Sequence, residues 1–284
     1  MLRLRKRTLV RCLTQVAIVL LSPLVLLGNA VADVRFIGGD SEVRGRLTEL
    51  VSTRWPGDEL AAIDLTITIG ANALDDYCSM GESVGPVLAI HLYASHYRQS
   101  TANCRVPVAA IPADTPLTYQ IQLSQALFPR SRTAMLVRGD ATPTSEQAVD
   151  IPLSIPSVGV AKGLGRLVKE GRWDVFLLPV DHEVFSGADY RLVIETLFRH
   201  RKPTIVSINS LLNVGAIAAT FYSQSQLDHA LLLTIERYLA DGVLEATTPE
   251  RVNVTVNRTV LRNLYGRTIT AEELRALENE VNGG

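Results

Sequence analysis

Short β-branched segments alternate with amphipathic helical patterns along most of this 284-residue chain. In its first part, strand patterns lie at residues 34–37, 64–69, 87–93 and 106–111, and a helical pattern over 43–51 lies between the first two. Parallel neighbouring strands need a crossover segment between them, and that segment is usually a helix. The alternation therefore predicts an α/β fold with largely parallel sheets.

A second series of the same kind follows the proline-bounded segment 112–116. Its strand patterns lie at 133–137, 151–155, 174–180, 204–208, 215–221 and 252–256. Its helical patterns lie at 119–128, 160–169, 190–200 and 225–239, and Thr270-Ala-Glu-Glu opens a last helix with a capping pattern. Two successive series predict two α/β lobes, and the chain is long enough to build both.

The first 32 residues have the layout of a secretory signal peptide. Five basic residues precede an apolar run over 16–27, and Ala30-Val-Ala offers a small-x-small cleavage site. An uncleaved anchor is the alternative, since the apolar stretch 16–32 falls just short of a comfortable membrane span. We expect cleavage, a periplasmic location and no membrane insertion afterwards, because no later apolar run approaches the required length of about 18 residues.

Charge and cysteine usage agree with export. Five of the 28 basic residues and none of the 29 acidic residues lie in the first 32, so the remainder has a net charge of −6. As a whole, such a chain is a poor candidate for binding nucleic acid or an anionic membrane. Cys78 and Cys104 most simply form one disulfide in an oxidising compartment. A metal pair or a reactive thiol is the alternative, but no Cys-x-x-Cys spacing accompanies them.

The sequence contains no phosphate-binding loop, nucleophile elbow, His-Glu-x-x-His pair or dinucleotide fingerprint. We therefore assign no cofactor, no catalytic residue and no metal ligand. The densest ionisable cluster is Asp181-His182-Glu183, whose adjacent side chains diverge too much to share one metal. It follows the strand pattern 174–180, and open α/β sheets place their ligand crevice at such strand ends. A cleft-lining loop and an ordinary solvated loop both fit this cluster.

Several short segments of the second half stand in a characteristic order. They are DVFLLPVD at 174–181, VFS at 184–186, KPTIV at 202–206, VGAI at 214–217 and YS at 222–223, after a helix and strand over 120–138. Their order and spacing resemble the exported substrate-binding proteins of ABC transporters, in the subfamily that binds amino acids such as tryptophan. The resemblance extends from Asp33 to the C-terminus and is strongest from Gln120 onward.

The resemblance implies a type 1 periplasmic-binding-protein fold. In that fold two Rossmann-like lobes, joined by a hinge of three crossings, close on a small molecule. It implies a first lobe at 33–113 plus 212–242 and a second at 114–211 plus 243–284. It also implies an amino-acid-like or other small-metabolite ligand, and an ABC permease or a membrane-bound sensor as partner.

The ligand-binding candidates are residues at predicted strand ends. They are Gly39, Asp40, Ser41, Ala71, Asn72, Tyr93, Ser95, Arg138, Asp181, His182, Asn209 and Asn213. Among them, Asn72 lies where a helix N-terminus would receive an anion, and Tyr93 is suited to stack on an apolar ligand. Each is also compatible with an ordinary turn.

The chain departs from the family pattern in its cleft loops. The segment 93–96 (YASH) replaces a Thr/Ser-Asp-Pro loop, and His182 stands where a proline often follows the aspartate. These departures motivate an alternative of another class. In it, a periplasmic regulatory or interaction module acts on a membrane sensor or outer-membrane receptor without transport. An enzyme ranks last, because neither a nucleophile elbow nor a carboxylate pair is present.

Overall fold

The computed structural model describes residues 34–56, 60, 64–80, 85–102, 104–137, 151–154, 160–182 and 184–283. Within them, one four-stranded and one six-stranded sheet are flanked by helices. The predicted α/β fold with two lobes and largely parallel sheets is therefore confirmed. The predicted signal peptide lies outside the described residues.

The first sheet is fully parallel and follows chain order, β1-β2-β3-β4. Its strands are β1 (Val34–Gly38), β2 (Leu65–Ile69), β3 (Val87–Leu92) and β4 (Val108–Pro112). The helices between them are α1 (Ser41–Arg54), α2 (Ala71–Ser79) and α3 (Ala94–Thr101). Of these seven elements, α3 is missing from the sequence-based prediction and α2 is predicted only as a turn into a helix.

The helices α1 and α2 pack on opposite faces of the first sheet. Leu47 of α1 shares a buried cluster with Ile67 and Leu88, whereas Leu74 of α2 packs with Ala89. Neighbouring residues of one strand point to opposite faces, so Leu88 and Ala89 separate the two clusters. The adjacent strands β1 and β2 thus continue into helices on different faces. The loops at their carboxyl ends therefore diverge, and strand carboxyl ends are the usual place for a ligand crevice.

The second sheet has the order β10-β9-β8-β7-β5-β6, with only β10 antiparallel to its neighbour. Its strands are β5 (Thr133–Val137), β6 (Ile151–Ser154), β7 (Val175–Leu178), β8 (Thr204–Val206), β9 (Ala218–Phe221) and β10 (Asn253–Val256). The chain leaves β5 towards β6 but leaves β7 towards β8. The second sheet therefore has a topological switch point between β5 and β7.

The remaining helices cover both faces of the second sheet, except for the longest of them, Gln224–Asp241, which packs against the first sheet. They are α4 (Leu117–Leu127), α5 (Val160–Glu170), α6 (Gly187–Arg199), a 3-10 helix (Asn209–Val214), α7 (Gln224–Asp241), α8 (Arg258–Tyr265) and α9 (Ala271–Gly283). Buried residues of α4, α8 and α9 share one cluster, and those of α5 and α6 share another. None of the helices in the described part of the chain has both the length and the apolar composition to cross a membrane.

Strand pairing moves one boundary relative to the lobes predicted from the sequence. The prediction places 212–242 with the first lobe, but β9 pairs with β8 and β10 in the second sheet. Only α7 packs against the first sheet, through Ala230, Leu231 and Ile235. We call the first sheet with α1, α2, α3 and α7 lobe one, and the second sheet with its other helices lobe two.

Three segments connect the lobes, after β4, after β9 and after α7. The first of these segments lies beside the end of β9. There, the Oγ1 atoms of Thr115 and Thr220 are 2.8 Å apart in a buried contact. Within lobe one, Cys78 of α2 and Cys104 form the predicted disulfide, with 4.7 Å between their Cα atoms. The disulfide ties the end of α2 to the segment that follows α3.

Candidate functional site

The loops that follow β3 and β7 meet between the lobes. The imidazole rings of His96, in lobe one, and His182, in lobe two, are stacked with 3.9 Å between centroids and 8° between planes. Beside them, the backbone N–H of His182 points to Ser95 Oγ at 3.5 Å, the outer limit for a hydrogen bond. Two of the loops predicted to line a cleft thus contact each other directly.

Two tyrosines complete the surroundings of His182. The ring of Tyr93 lies 5.2 Å from the His182 ring, and that of Tyr190 lies 6.3 Å away with its edge towards it. The Tyr190 hydroxyl accepts a 2.7 Å hydrogen bond from the backbone N–H of Asp181. This bond fixes the loop after β7 to α6. The result is a wall of flat rings with a few polar atoms, a composition that small-molecule sites share.

Asp114 connects this wall to the first hinge segment. Its carboxylate accepts a 2.7 Å hydrogen bond from the backbone N–H of Ala94, at the start of α3. Burial raises the pKa of Asp114. The hydrogen bonds that its carboxylate accepts from backbone N–H groups lower the pKa and partly offset the effect of burial. This hydrogen bond fixes the start of α3, and with it His96, to a segment that connects the lobes.

Electrostatics favour a neutral imidazole at position 182. Burial lowers the pKa of His182, the neighbouring His96 lowers it further, and Asp181 opposes both. The Nε2 atom of His182 is buried and has no hydrogen-bond partner among the described residues. A buried nitrogen of this kind is ready to pair with a polar group of a ligand or with water.

The candidates from lobe one's first loops gather at the carboxyl ends of β1 and β2. Asp40 accepts a 2.8 Å hydrogen bond from Val43 N and so caps α1. Gly39 lies against the side chain of Ile69 with a φ of +64°. Ala71 and Asn72 begin α2 on the neighbouring strand. The five predicted residues Gly39, Asp40, Ser41, Ala71 and Asn72 therefore flank β1 and β2 at their carboxyl ends.

The other predicted residues have different surroundings. Asn209 and Asn213 are exposed on the 3-10 helix after β8, one strand beyond the loop of His182. Arg138 and Glu183 lie outside the described residues. No group of three or more histidine, cysteine or carboxylate side chains is placed to hold a metal ion in the described part of the chain.

Three residues of this wall are not among the predicted ligand-binding residues: His96, Asp114 and Tyr190. His96 is missed because residues 94–101 lack an apolar stripe and give no helix signal; the helix buries only Ser95 and Ser100. Asp114 lies in a proline-bounded segment, which is the one local sign of a hinge. Tyr190 reads as an ordinary core position of α6.

Three solved structures share the architecture over most of this chain. A substrate-binding protein with adhesive properties from Clostridium difficile, in its ligand-free open form, has a TM-score of 0.58 and 14% identity, covering 85% of this chain and 96% of its own. The chain has the fold of a substrate-binding protein. An ABC domain in complex with L-Trp from Streptococcus pneumonia has a TM-score of 0.53 and 17% identity, covering 86% and 97%.

The third structure is a conserved domain protein from Vibrio cholerae, with a TM-score of 0.56 and 12% identity, covering 86% of this chain and 96% of its own. No protein-family model and no curated protein sequence matches the chain. At these identities the likeness concerns the fold, and the site has to be argued from this chain's own residues.

Proposed function

We propose that this protein is an exported solute-binding protein that holds a small molecule between its two lobes for an ABC transporter or a membrane-bound sensor. The observation that carries the proposal is the meeting of Tyr93, Ser95 and His96 with Asp181 and His182 at strand carboxyl ends of both sheets. The fold supports it, because solved structures of this fold include a substrate-binding protein and a complex with L-Trp.

The ring geometry suggests the class of ligand. A planar group would enter between His96 and His182, so that one direct stack is replaced by two contacts with the ligand. Tyr93 would cover its edge, and His182 Nε2 would donate or accept one hydrogen bond. An amino acid or another small metabolite with a ring fits these features. We place Ser95 and Asp181 beside it as polar contacts.

One observation favours a second function of another class. The stack of His96 on His182 already joins the lobes by direct contact, with no space for a molecule between the two rings. A regulatory or interaction module that acts on a membrane sensor or outer-membrane receptor without a solute would use such a contact to hold one shape. The two functions differ in whether any small molecule stabilises the protein.

Thermal unfolding with a library of amino acids and metabolites separates them. A ligand present at 100 times its Kd stabilises the native state by about 2.7 kcal/mol, which raises Tm by roughly 5–10 °C for a protein of this size. We expect at least one compound with a planar group to do so. His182→Ala should weaken its effect at least tenfold, whereas the exposed control His229→Ala should leave it unchanged.

The outcomes are distinct. If no compound stabilises the protein, the solute-binding proposal fails and the interaction module remains. If a compound binds with equal affinity to the wild-type and His182→Ala proteins, a ligand exists but its site is elsewhere.

A further inference from the structure

The turns that lead into β5, β7 and β8 lie side by side at the edge of the second sheet opposite the candidate site. Parallel strands share one carboxyl edge, so their amino ends share the other. The turns touch: Asp174 N donates to Arg132 O at 2.9 Å, and Phe176 N donates to Pro203 O at 2.8 Å. We call residues 128–132, 169–174 and 199–203 the entry turns.

The entry turns concentrate positive charge. Their cationic side chains are Arg130, Arg132, Lys169, Arg172, Arg199, Arg201 and Lys202, and all but Lys202 are exposed. The same turns contain two carboxylates, Glu170 and Asp174, and Asp174 lies 3.7 Å from Arg132 Nε. The excess is notable because the chain after residue 32 has a net charge of −6. The fold thus brings basic side chains together on one surface of a chain whose overall charge is negative.

Two of these arginines occupy backbone positions that suit glycine better. Arg130 has a φ of +66° and Arg201 a φ of +55°, and His91 is the only other described non-glycine residue with a positive φ. In the remaining entry turn, 169–174, Gly171 has a similar φ of +61°. A left-handed backbone disfavours any side chain with a Cβ. An exposed arginine at such a position is consistent with a role for its guanidinium group beyond folding.

Helix ends explain only part of the charge. Lys169 and Arg199 lie in the last turns of α5 and α6, where cations favourably meet the negative end of the helix dipole. That effect falls off beyond the last turn, and Arg130 stands three residues past the end of α4. Arg172 and Arg201 likewise follow their helices. The helix dipole therefore does not account for their charges.

We propose that the entry turns are a docking surface for an anionic phospholipid bilayer, with lipid phosphates bound by Arg130, Arg172 and Arg201. Arginine binds phosphate through two parallel hydrogen bonds, and clustered basic residues bind anionic bilayers. The cations are spread over three neighbouring strands, spaced about 4.8 Å apart, which suits an extended surface better than one small anion. Phe198, 39% exposed beside Arg199, adds the aromatic contact that interface-binding surfaces combine with basic residues.

This surface lies at the opposite strand edge from the candidate site, so the inference does not depend on the proposed function. Bound in this way, lobe two would rest on the bilayer with the carboxyl ends of its strands directed away from it. An acidic protein partner would instead leave the protein unable to bind lipid vesicles, and the test below distinguishes the two.

The test is vesicle flotation with protein purified from cells that express the full chain. Vesicles of 30% phosphatidylglycerol in phosphatidylcholine are compared with pure phosphatidylcholine at low and high salt. We expect binding that requires phosphatidylglycerol and weakens at high salt. The variant R130G/R172Q/R201G should lose at least tenfold in apparent affinity. The matched control R44Q/R105Q/R275Q removes three exposed arginines elsewhere and should stay within twofold.

A stability measurement separates a docking role from a structural one. Because glycine suits the left-handed backbone, R130G/R201G should melt at the same temperature as the wild type or above it while binding fewer vesicles. The proposal is overturned if the protein has no preference for phosphatidylglycerol, or if the control variant loses as much binding. It is also overturned if equimolar glycerol 3-phosphate displaces the vesicles, since the surface would then recognise a single phosphate.

Discussion

Acidification should loosen the contact between His96 and His182, and the size of the effect follows from the stack. Two imidazolium charges 3.9 Å apart repel by about 1 kcal/mol at the dielectric constant of water and about 4 kcal/mol at an effective value of 20. Both rings are partly exposed, so we expect the lower half of this range, about 1–2 kcal/mol.

The direction follows from proton linkage. Burial and His96 hold the folded-state pKa of His182 below its ordinary value of about 6.5. As pH falls through that value, the unfolded chain binds a proton that the folded protein resists, so stability falls with pH. The contribution is complete above about pH 6.5 and is lost as pH decreases towards the folded-state pKa. A loss of 1–2 kcal/mol lowers Tm by roughly 2–8 °C.

His182→Phe tests this cause directly. Phenylalanine keeps a ring for stacking but takes up no proton, so the variant should melt near the wild type at pH 7.5. Between pH 7.5 and 5.0, its Tm should fall by about 2–8 °C less than that of the wild type. His96→Phe should give a smaller reduction, because it removes the repulsion but leaves the burial of His182, which is the larger cause of the lowered pKa. The double variant should add little to His182→Phe, because the two rings act as one pair. The remaining histidines contribute equally to both proteins.

Small-angle scattering over the same pH range reports whether the lobes separate. An increase in the radius of gyration at pH 5 in the wild type, and a smaller one in His182→Phe, would place the effect between the lobes. Identical pH profiles of Tm for the wild type and His182→Phe would refute the reasoning.

Two further predictions concern lobe one. Gly38→Ala would add a methyl group against that of Ala73 at a φ of +81°. The left-handed backbone costs about 1–2 kcal/mol and the overpacking about 1–3 kcal/mol more. Gly266→Ala, at a φ of +62° with open space around it, should show only the backbone cost in urea unfolding. If the two variants lose the same free energy of unfolding, the close approach of Gly38 to Ala73 is contradicted. Replacing Cys78 and Cys104 by serine should destabilise by about 3.5 kcal/mol, from a separation of 26 residues; a loss below about 1 kcal/mol would contradict the chain-entropy argument.

Local sequence patterns predict most elements because their periodicity reflects which residues become buried. The pattern over 225–239, with Gly242 after it, predicts α7, and Gly242 indeed ends that helix with a left-handed φ of +68°. The helices α3 and α8 escape the same reasoning. The first buries only serines and so lacks the apolar stripe on which the prediction depends. The second has such a stripe, in Val260, Leu261 and Tyr265, but it spans only eight residues directly after β10, too few to give a clear helical period.

Strand partners are a tertiary matter. The buried strand β9 has the same apolar pattern whether it joins the first sheet or the second. Hydrogen bonds to β8 and β10 decide the question, and no local property of Ala218–Phe221 encodes those partners. The same holds for the charge of the entry turns. Their arginines are scattered in the sequence and come together only because β5, β7 and β8 are neighbours.

For the candidate site, the sequence alone determines that polar and aromatic residues follow the apolar strands β3 and β7. Tyr93, Ser95, Asp181 and His182 can be placed at strand ends by local pattern, since a strand ends where its buried run stops. Only the tertiary structure decides that His96 lies on His182. That contact requires a helix without an apolar stripe and the approach of two separately folded lobes. Both depend on interactions between residues far apart in the chain.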